Sequence, residues 1–328
     1  MFLKLVKPFF QLYVLRNNVP ISANLSVTDR CNFRCGHCKI PERNLKELST
    51  EKIFAVIDEL KKGGTVKISL CGGEPLIRDD IGEIVDYIKA QGMMVNLVSN
   101  GVLVRKKIDE IRNLDFIVLS YDGSPQAQED VRGEKAHGIV MDAIDAAKEK
   151  GLKVFIVTVL TKNNLNEVES ILDLAEQKDL GCEIHPVYSW SLSKGSITHL
   201  LPDKKNMDKT VAKLKEIKKT KKGKHLVFSQ ATLDYLAEWP NFKKQKCWAG
   251  NAYVYVDTNG LVYACNFMIQ KTEGLPILEL GIKETMKKLQ RLPCRGCWCL
   301  PNIEYNYMCS FNPSALWNFF KMSKAIKG

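Results

Sequence analysis

Between residues 21 and 188 six short apolar runs alternate with longer stretches of helical period. This alternation leaves few folds open, because repeated strand and helix units of this kind build a parallel sheet with helices packed on its faces. The strand-like runs lie at 21–27, 66–70, 94–99, 116–120, 154–160 and 182–187. Helical patterns fall between them at about 50–62, 79–91, 104–112, 136–150 and 165–178. Ser49 or Thr50 supplies an N-cap for the first of these helices, and Gly63 with Gly64 stops it. The spacing therefore predicts an α/β fold, a partial (β/α)6 barrel of TIM type, with its chemistry gathered at the C-terminal ends of the strands.

After Trp190 the repeat ends. Ten lysines fall between Lys204 and Lys224, where Val211, Leu214 and Ile217 give a helix one apolar face. Past Cys247 two alternating runs flank Asn259-Gly260, a strong hairpin signal. Both ends of the chain mix aromatic and aliphatic residues with lysine, which suits docking on the barrel or contact with a membrane surface. The expected organisation is an amphipathic segment (1–20), the partial barrel (21–190), a Lys-rich helical linker (191–245), a small cysteine-bearing β-hairpin and helix domain (246–310) and an amphipathic tail (311–328). The 328 residues carry 48 Lys plus Arg against 37 Asp plus Glu, a net charge of +11 that by itself does not select nucleic acid, lipid or an acidic partner. No apolar run is long enough to span a bilayer, and no cleavable leader is evident; a cytoplasmic protein is expected.

Eleven cysteines, an odd number in uneven clusters, fit disulfide pairing badly and fit metal or cluster ligation well. Cys31, Cys35 and Cys38 form C-N-F-R-C-G-H-C directly after the first strand, on a loop where a barrel holds its active site. Three thiols leave a site one ligand short of the usual four, so the trio alone admits zinc completed by His37 or Cys71, or an iron-sulfur cluster. One unit later the second strand runs into Gly72-Gly73-Glu74-Pro75, whose paired glycines permit close backbone approach.

Together, C-x3-C-x2-C followed by GGEP at this barrel position resembles the radical S-adenosylmethionine (SAM) superfamily. The resemblance implies a 4Fe-4S cluster on Cys31, Cys35 and Cys38, with SAM chelating the open iron. It implies further SAM contacts at His37, Gly72, Gly73 and Glu74, at Ser99 and Asn100 closing the third strand, at Ser120 and Asp122 closing the fourth, and at Arg132, whose guanidinium suits the SAM carboxylate. The chemistry so implied is reductive cleavage of SAM to a 5'-deoxyadenosyl radical that abstracts hydrogen from substrate, fed by a flavodoxin- or ferredoxin-type reductant.

Cys247, Cys265, Cys294 and Cys297 offer four more thiols as C-x12-G-x4-C and C-R-G-C. Spacing alone fits a zinc ribbon as well as a cluster. Behind such a barrel the layout resembles the SPASM/Twitch auxiliary-cluster domain of anaerobic sulfatase-maturating and PQQ-synthesis peptide-modifying enzymes. The resemblance implies an auxiliary 4Fe-4S cluster on those four, with Cys299 and Cys309 in a second, irregular cluster or as structural thiols. The full SPASM pattern fails at Ile303, where a cysteine is expected. The general-base Asp of some relatives is replaced by Asn266, so no catalytic base is assigned; His185 at the end of the sixth strand is a packed histidine or a substrate base. The function expected is hydrogen abstraction from a peptide or small-molecule substrate. A membrane lipid or lipid-linked substrate is the alternative, and a non-catalytic iron-sulfur scaffold or electron carrier the reading from another class. Nucleic acid is not the expected partner.

Overall fold

A computed structural model describes residues 2–188, 197–291, 294 and 296–327. Six strands follow the sequence pattern within about two residues at each end: β1 (Ser22–Thr28), β2 (Lys67–Gly72), β3 (Met94–Ser99), β4 (Phe116–Ser120), β5 (Val154–Leu160) and β6 (Gly181–Pro186). Each pairs in parallel with the next. β7 (Tyr253–Val256) then joins the other side of β1, also in parallel, with Ser22 opposite Tyr253 and Leu25 opposite Val256. β8 (Leu261–Tyr263) and β9 (Leu275–Pro276) follow antiparallel. The result is one nine-stranded sheet in the order β6-β5-β4-β3-β2-β1-β7-β8-β9. The expected hairpin at Asn259-Gly260 is present, with Val256 facing Val262 and Gly260 at φ +82° in the turn.

The helices are α1 (Phe2–Tyr13), α2 (Thr50–Lys62), α3 (Ile81–Ala90), α4 (Val104–Lys107), α5 (Pro125–Arg132), α6 (Ala136–Glu149), α7 (Val168–Gln177), α8 (Lys204–Lys218), α9 (Gln230–Leu236), α10 (Ile277–Lys288), α11 (Leu300–Cys309) and α12 (Pro313–Lys327). Ser49 caps α2 by accepting from the Lys52 amide. α8 buries Met207, Val211 and Leu214 and leaves most of its lysines in water. The stretch 104–112 differs from expectation. Its helix ends at Lys107, whose buried side chain reaches back to the Arg78 carbonyl at 2.8 Å, and the chain tightens into three-residue turns, with the Glu110 amide on the Lys107 carbonyl. α5 is an added element, begun by Ser124-Pro125 in the favoured helix-start arrangement.

Parallel strands present alternate residues inward. The inward positions of β1, β2, β3 and β6 carry Ser22, Asn24, Lys67, Ser69, Asn96, Glu183 and His185, which set polar groups into the largely apolar wall of a cavity of about 510 Å3 where a filled core would otherwise lie. Phe9 of α1, Met308 of α11 and Phe319 and Met322 of α12 complete its wall. The two ends of the chain meet there: the Tyr13 ring packs on Trp248 and Phe311, and its hydroxyl donates to the Cys309 carbonyl.

Candidate cluster and cofactor site

The two motifs of the barrel mouth are one structure. The Gly73 amide donates to the Thr28 carbonyl and the Glu74 amide to the Arg30 carbonyl, both at 2.8 Å, so the end of β2 holds the chain as it enters the cysteine loop. The glycines are required by that approach. A Cβ on Gly72, which sits at φ +135°, would lie 2.2 Å from the Thr28 carbonyl oxygen, and one on Gly73 would lie 2.2 Å from that of Arg30. Glu74 is fully buried and ties GGEP to the end of β3. One oxygen accepts from the Leu76 amide (3.1 Å) and the Ser99 hydroxyl (3.0 Å), the other from the Asn100 amide (2.7 Å). Burial pushes this carboxyl up to about 7 against the pull of those donors. The Asn100 side chain reaches on to Asn32 at 2.7 Å and stands 3.7 Å from the Cys31 sulfur.

The cysteine loop is held from its other side by α5, where the Gly36 amide donates to the Val131 carbonyl at 3.0 Å. Arg132 ends that helix. Its Nε donates to Asp122 at 2.7 Å in a buried pair, and its Nη1 stands 4.0 Å from the Cys35 sulfur. The second oxygen of Asp122 accepts from the Val159 amide at 2.9 Å, and the Ser120 carbonyl accepts from Gln128. Burial pushes the Cys35 thiol up to about 11, with Arg132 pulling it down and Cys38 and Cys31 pushing it up. Each of the three sulfurs thus feels the others or a shared cation. Among the described residues no three His, Cys, Asp or Glu side chains are gathered within reach of one metal ion. A 4Fe-4S cluster asks for no such gathering, since each thiolate takes its own iron. The trio fits a cluster of that kind: three thiols, a cation beside one, and the Phe33 amide and Asn100 amide facing another. His37 lies inside this shell with Nδ1 buried and unpartnered, and burial, with Arg132 nearby, pushes it down to about 4.

The C-terminal cysteines divide by place. Cys247, Cys265, Cys294, Cys297 and Cys299 form one neighbourhood. Burial pushes Cys265 up to about 12, and the thiols of Cys247, Cys294 and Cys299 add to the shift. Cys297 rises through burial, then through Cys299, Cys265 and Cys247. The Tyr253 hydroxyl stands 3.6 Å from the Cys247 sulfur. Cys309 is elsewhere, at the far end of α11 beside Tyr13. Ten helical steps from Cys299 put it about 15 Å away along the axis.

Sequence reasoning did not pick out several residues of this region. Arg43 clamps the cysteine loop to the hairpin turn, donating to Asp29 at 2.8 and 3.1 Å and to Asp257 at 2.5 Å, with Thr258 also on Asp29. Lys67 and Glu183 face the cavity, Lys67 standing 5.2 Å over the Phe116 ring and Glu183 raised by burial against the pull of Lys67. Their signal was present as polar residues recurring every second position in otherwise apolar strands. His185 shares that wall, packed on Tyr188, with Nδ1 buried and unpartnered and the ring pushed down to about 4 by burial. Asn266 lines the same cavity, as do Cys71, Cys299 and Cys309.

A loop of three cysteines braced by a GGEP turn at the mouth of a parallel barrel defines a class, and the comparisons agree with it. Residues 25–175 match the Radical SAM superfamily, so the chain carries a radical SAM domain over a little under half of its length; enzymes of this superfamily use a 4Fe-4S cluster and SAM. Among characterised relatives, the PqqA peptide cyclase of Methylorubrum extorquens strain PA1 is 29% identical over 320 residues, 94% of this chain and 74% of that one. The Fe-coproporphyrin III synthase of Methanosarcina barkeri is 32% identical over 179 residues, 52% of this chain and 45% of that one, so the match spans about half the length of that relative. In fold the chain is similar to Streptococcus suis SuiB bound to S-adenosylmethionine (TM-score 0.66, 14% identity, 84% of this chain and 67% of that one). It is also similar to anSMEcpe with bound AdoMet and the Cp18Cys peptide (TM-score 0.65, 16% identity, 93% and 99%).

Proposed function

We propose that Cys31, Cys35 and Cys38 hold the 4Fe-4S cluster and that SAM lies against His37, Gly72, Gly73, Glu74, Ser99, Asn100, Ser120, Asp122 and Arg132. The observation that carries this is the pair of 2.8 Å backbone hydrogen bonds joining GGEP to the residues entering the cysteine loop, which make cluster loop and cofactor floor a single rigid unit. Bound there, the cluster and SAM would supply one-electron reductive chemistry that draws a hydrogen atom from substrate. The chain's own groups orient and shield. Glu74 fixes β3 against the turn, Asp122 holds Arg132 beside Cys35, and the cavity keeps bulk water from the reacting carbon.

The substrate of this reading is a peptide. Its support is the 94% coverage by a PqqA peptide cyclase and the likeness to SuiB, also solved with precursor peptide SuiA, and to anSMEcpe with peptide. The segment 246–310 holds an auxiliary 4Fe-4S cluster on four thiols of the Cys247, Cys265, Cys294, Cys297 and Cys299 neighbourhood, and Cys309 stands apart from it. A flavodoxin- or ferredoxin-type protein supplies the electron. A second reading, favoured by the apolar side chains that α1 and α12 leave exposed, has the enzyme working at a membrane surface.

The test is the iron and sulfide content of anaerobically reconstituted protein, followed by dithionite reduction and assay of 5'-deoxyadenosine from SAM. About eight iron per chain, with SAM cleavage abolished in Cys35→Ala, is the expected result. Zinc without SAM cleavage would sink the proposal.

A further inference from the structure

The barrel cavity carries a cation that the described residues leave unpaired. We propose that this cation, Lys67, holds a carboxylate of the substrate at the end of the barrel remote from the cysteine loop. The inference rests on the reading above that substrate reacts in this cavity, and it adds a chemical group that the substrate brings.

Position comes first. Lys67 opens β2 and lies opposite Ser22 of β1 and Met94 of β3, all three on the cavity wall. Five steps of strand separate it from Gly72 at the mouth, about 16 Å of extended chain, so it stands away from the cofactor floor. The wall around it is largely apolar, with Met94, Phe116, Val118 and Phe228 among its residues. A parallel strand covered on both faces ordinarily carries Val, Ile or Leu at such a position. A lysine there loses hydration and is costly to keep unless an anion meets it.

Partners come next. Among the described residues the Lys67 ammonium has the Phe116 ring, 5.2 Å from Nζ, and no hydrogen bond or ion pair; a ring face steers an ammonium without neutralising it. It is the one cation among the described residues of the wall, and the two carboxylates there do not serve it. Glu304 is taken: one oxygen accepts from the Ser229 amide and hydroxyl and from Thr232, the other from Asn318 at 2.9 Å. Glu183 on β6 feels Lys67 without forming an ion pair, and burial raises it, so it can shed its own charge by taking a proton. A buried pair offsets its desolvation only by closing to contact with good geometry. Lys67 and Glu183 are instead held apart, with cavity between them.

The group that fits this place is a carboxylate, which cancels the ammonium charge and accepts its N–H bonds. A second feature of the wall points to an occupant with an amide beside that carboxylate. Asn96, paired in register with Ser69 two residues above Lys67, donates to the Ser69 hydroxyl at 2.9 Å and leaves Oδ1 buried without a partner. Asn96 is 3% exposed and lines the same cavity, and an N–H from the occupant supplies the donor it lacks. Anchored in this way, the substrate sends its apolar part from Lys67 toward the mouth, where hydrogen is taken. In a peptide the carboxylate belongs either to an acidic side chain or to the C-terminus, and experiment separates the two.

Three probes share one body and differ in that group alone: N-acetyl-Phe-Glu-amide carries a side-chain carboxylate, N-acetyl-Phe-Gln a C-terminal one, and N-acetyl-Phe-Gln-amide neither. Their binding to the anaerobically reconstituted enzyme with SAM is measured by isothermal titration calorimetry. At least one of the two acids is expected to bind about tenfold or more tighter than the amide, and the tighter acid names the source of the carboxylate. In Lys67→Met that acid is expected to fall to the level of the amide, while Lys67→Arg keeps the preference; equal iron and sulfide content shows that both variants have folded. Equal affinities of the three probes for wild type, or binding by none of them, overturns the proposal without recourse to a variant. So does a preference for the acid that survives in Lys67→Met. Release of 5'-deoxyadenosine is assayed separately. Acid-selective binding without SAM cleavage fails the radical SAM reading and leaves the anchor standing, whereas SAM cleavage without acid-selective binding fails the anchor alone.

Discussion

Glu74 shows what a motif does not say about a residue. GGEP marks a carboxylate that the family resemblance places near SAM, yet both its oxygens are engaged by Leu76, Ser99 and Asn100. In Glu74→Gln an amide NH2 replaces one acceptor and leaves a buried donor facing it, so stability should fall by about 1–3 kcal/mol in urea denaturation. The Arg132–Asp122 pair is more demanding. Asp122→Asn leaves a buried guanidinium without its countercharge and should cost about 3–5 kcal/mol, read in the same experiment. His185 gives a pH signature. Burial holds it at about 4 against an ordinary 6.5, so between those values the unfolded chain binds more protons than the native one. Its contribution to stability is therefore present above pH 6.5 and lost as pH falls toward 4. His185→Asn should lose less stability than wild type between pH 7 and pH 5, measured by urea midpoints; an equal loss would place the acid sensitivity in other groups. The cysteines and glycines were legible in the sequence because their chemistry and steric freedom are rare. Glu74 was legible as a candidate, but its bonds to Leu76, Ser99 and Asn100 were not, nor was the clamp made by Arg43, since both depend on which atoms meet after folding.

At the scale of elements, alternating apolarity located six strands and four of the six helices between them, because burial on one face imposes its period whatever the loops do. It overran α4, where a buried lysine on the Arg78 carbonyl ends the helix, and passed over α5, whose Ser-Pro start reads equally as a turn. It placed the hairpin but not the partner of β7. Pairing with β1 links residues more than 200 positions apart, and nothing local encodes that choice. The cluster loop depends on a comparable meeting of elements. Gly73→Ala would drive a Cβ into the Arg30 carbonyl, which is backbone and cannot rotate aside. We expect about 1–3 kcal/mol of destabilisation from the forced shift. About four iron per chain should go with it, because the loop that moves carries Cys31, Cys35 and Cys38. Full iron loading of this variant would show that the GGEP contact does not set the loop.

On the scale of the whole molecule the ends of the chain are the informative part. Their amphipathic pattern was visible in the sequence and left two outcomes, docking on the barrel or contact with a membrane, and the structure makes them compatible. α1 and α12 each turn one side inward, Phe9, Phe319 and Met322 reaching the cavity wall. The other side stays in water: Val6, Phe10, Val14 and Leu15 at one end, Phe311, Trp317 and Phe320 at the other, with Val6 62% and Trp317 64% exposed. Among the described residues these are seven of the eight large apolar side chains that are exposed, and the Tyr13–Phe311 ring contact brings the two ends together. Lys7, Arg16 and Lys321 are exposed beside them. Apolar side chains concentrated in this way and edged by cations suit the headgroup boundary of an anionic bilayer, and no described helix is long and apolar enough to cross one. Wild type should therefore co-sediment with vesicles containing phosphatidylglycerol, more weakly at high salt, and Phe10→Glu with Trp317→Glu should weaken that binding at least about tenfold, since each charge must be driven into the interface. Cluster content should be unaffected, because neither residue lines the cavity. If wild type stays in the supernatant at every lipid composition, the exposed apolar side chains serve another partner and the membrane reading falls, while the joining of GGEP to the cysteine loop is unaffected.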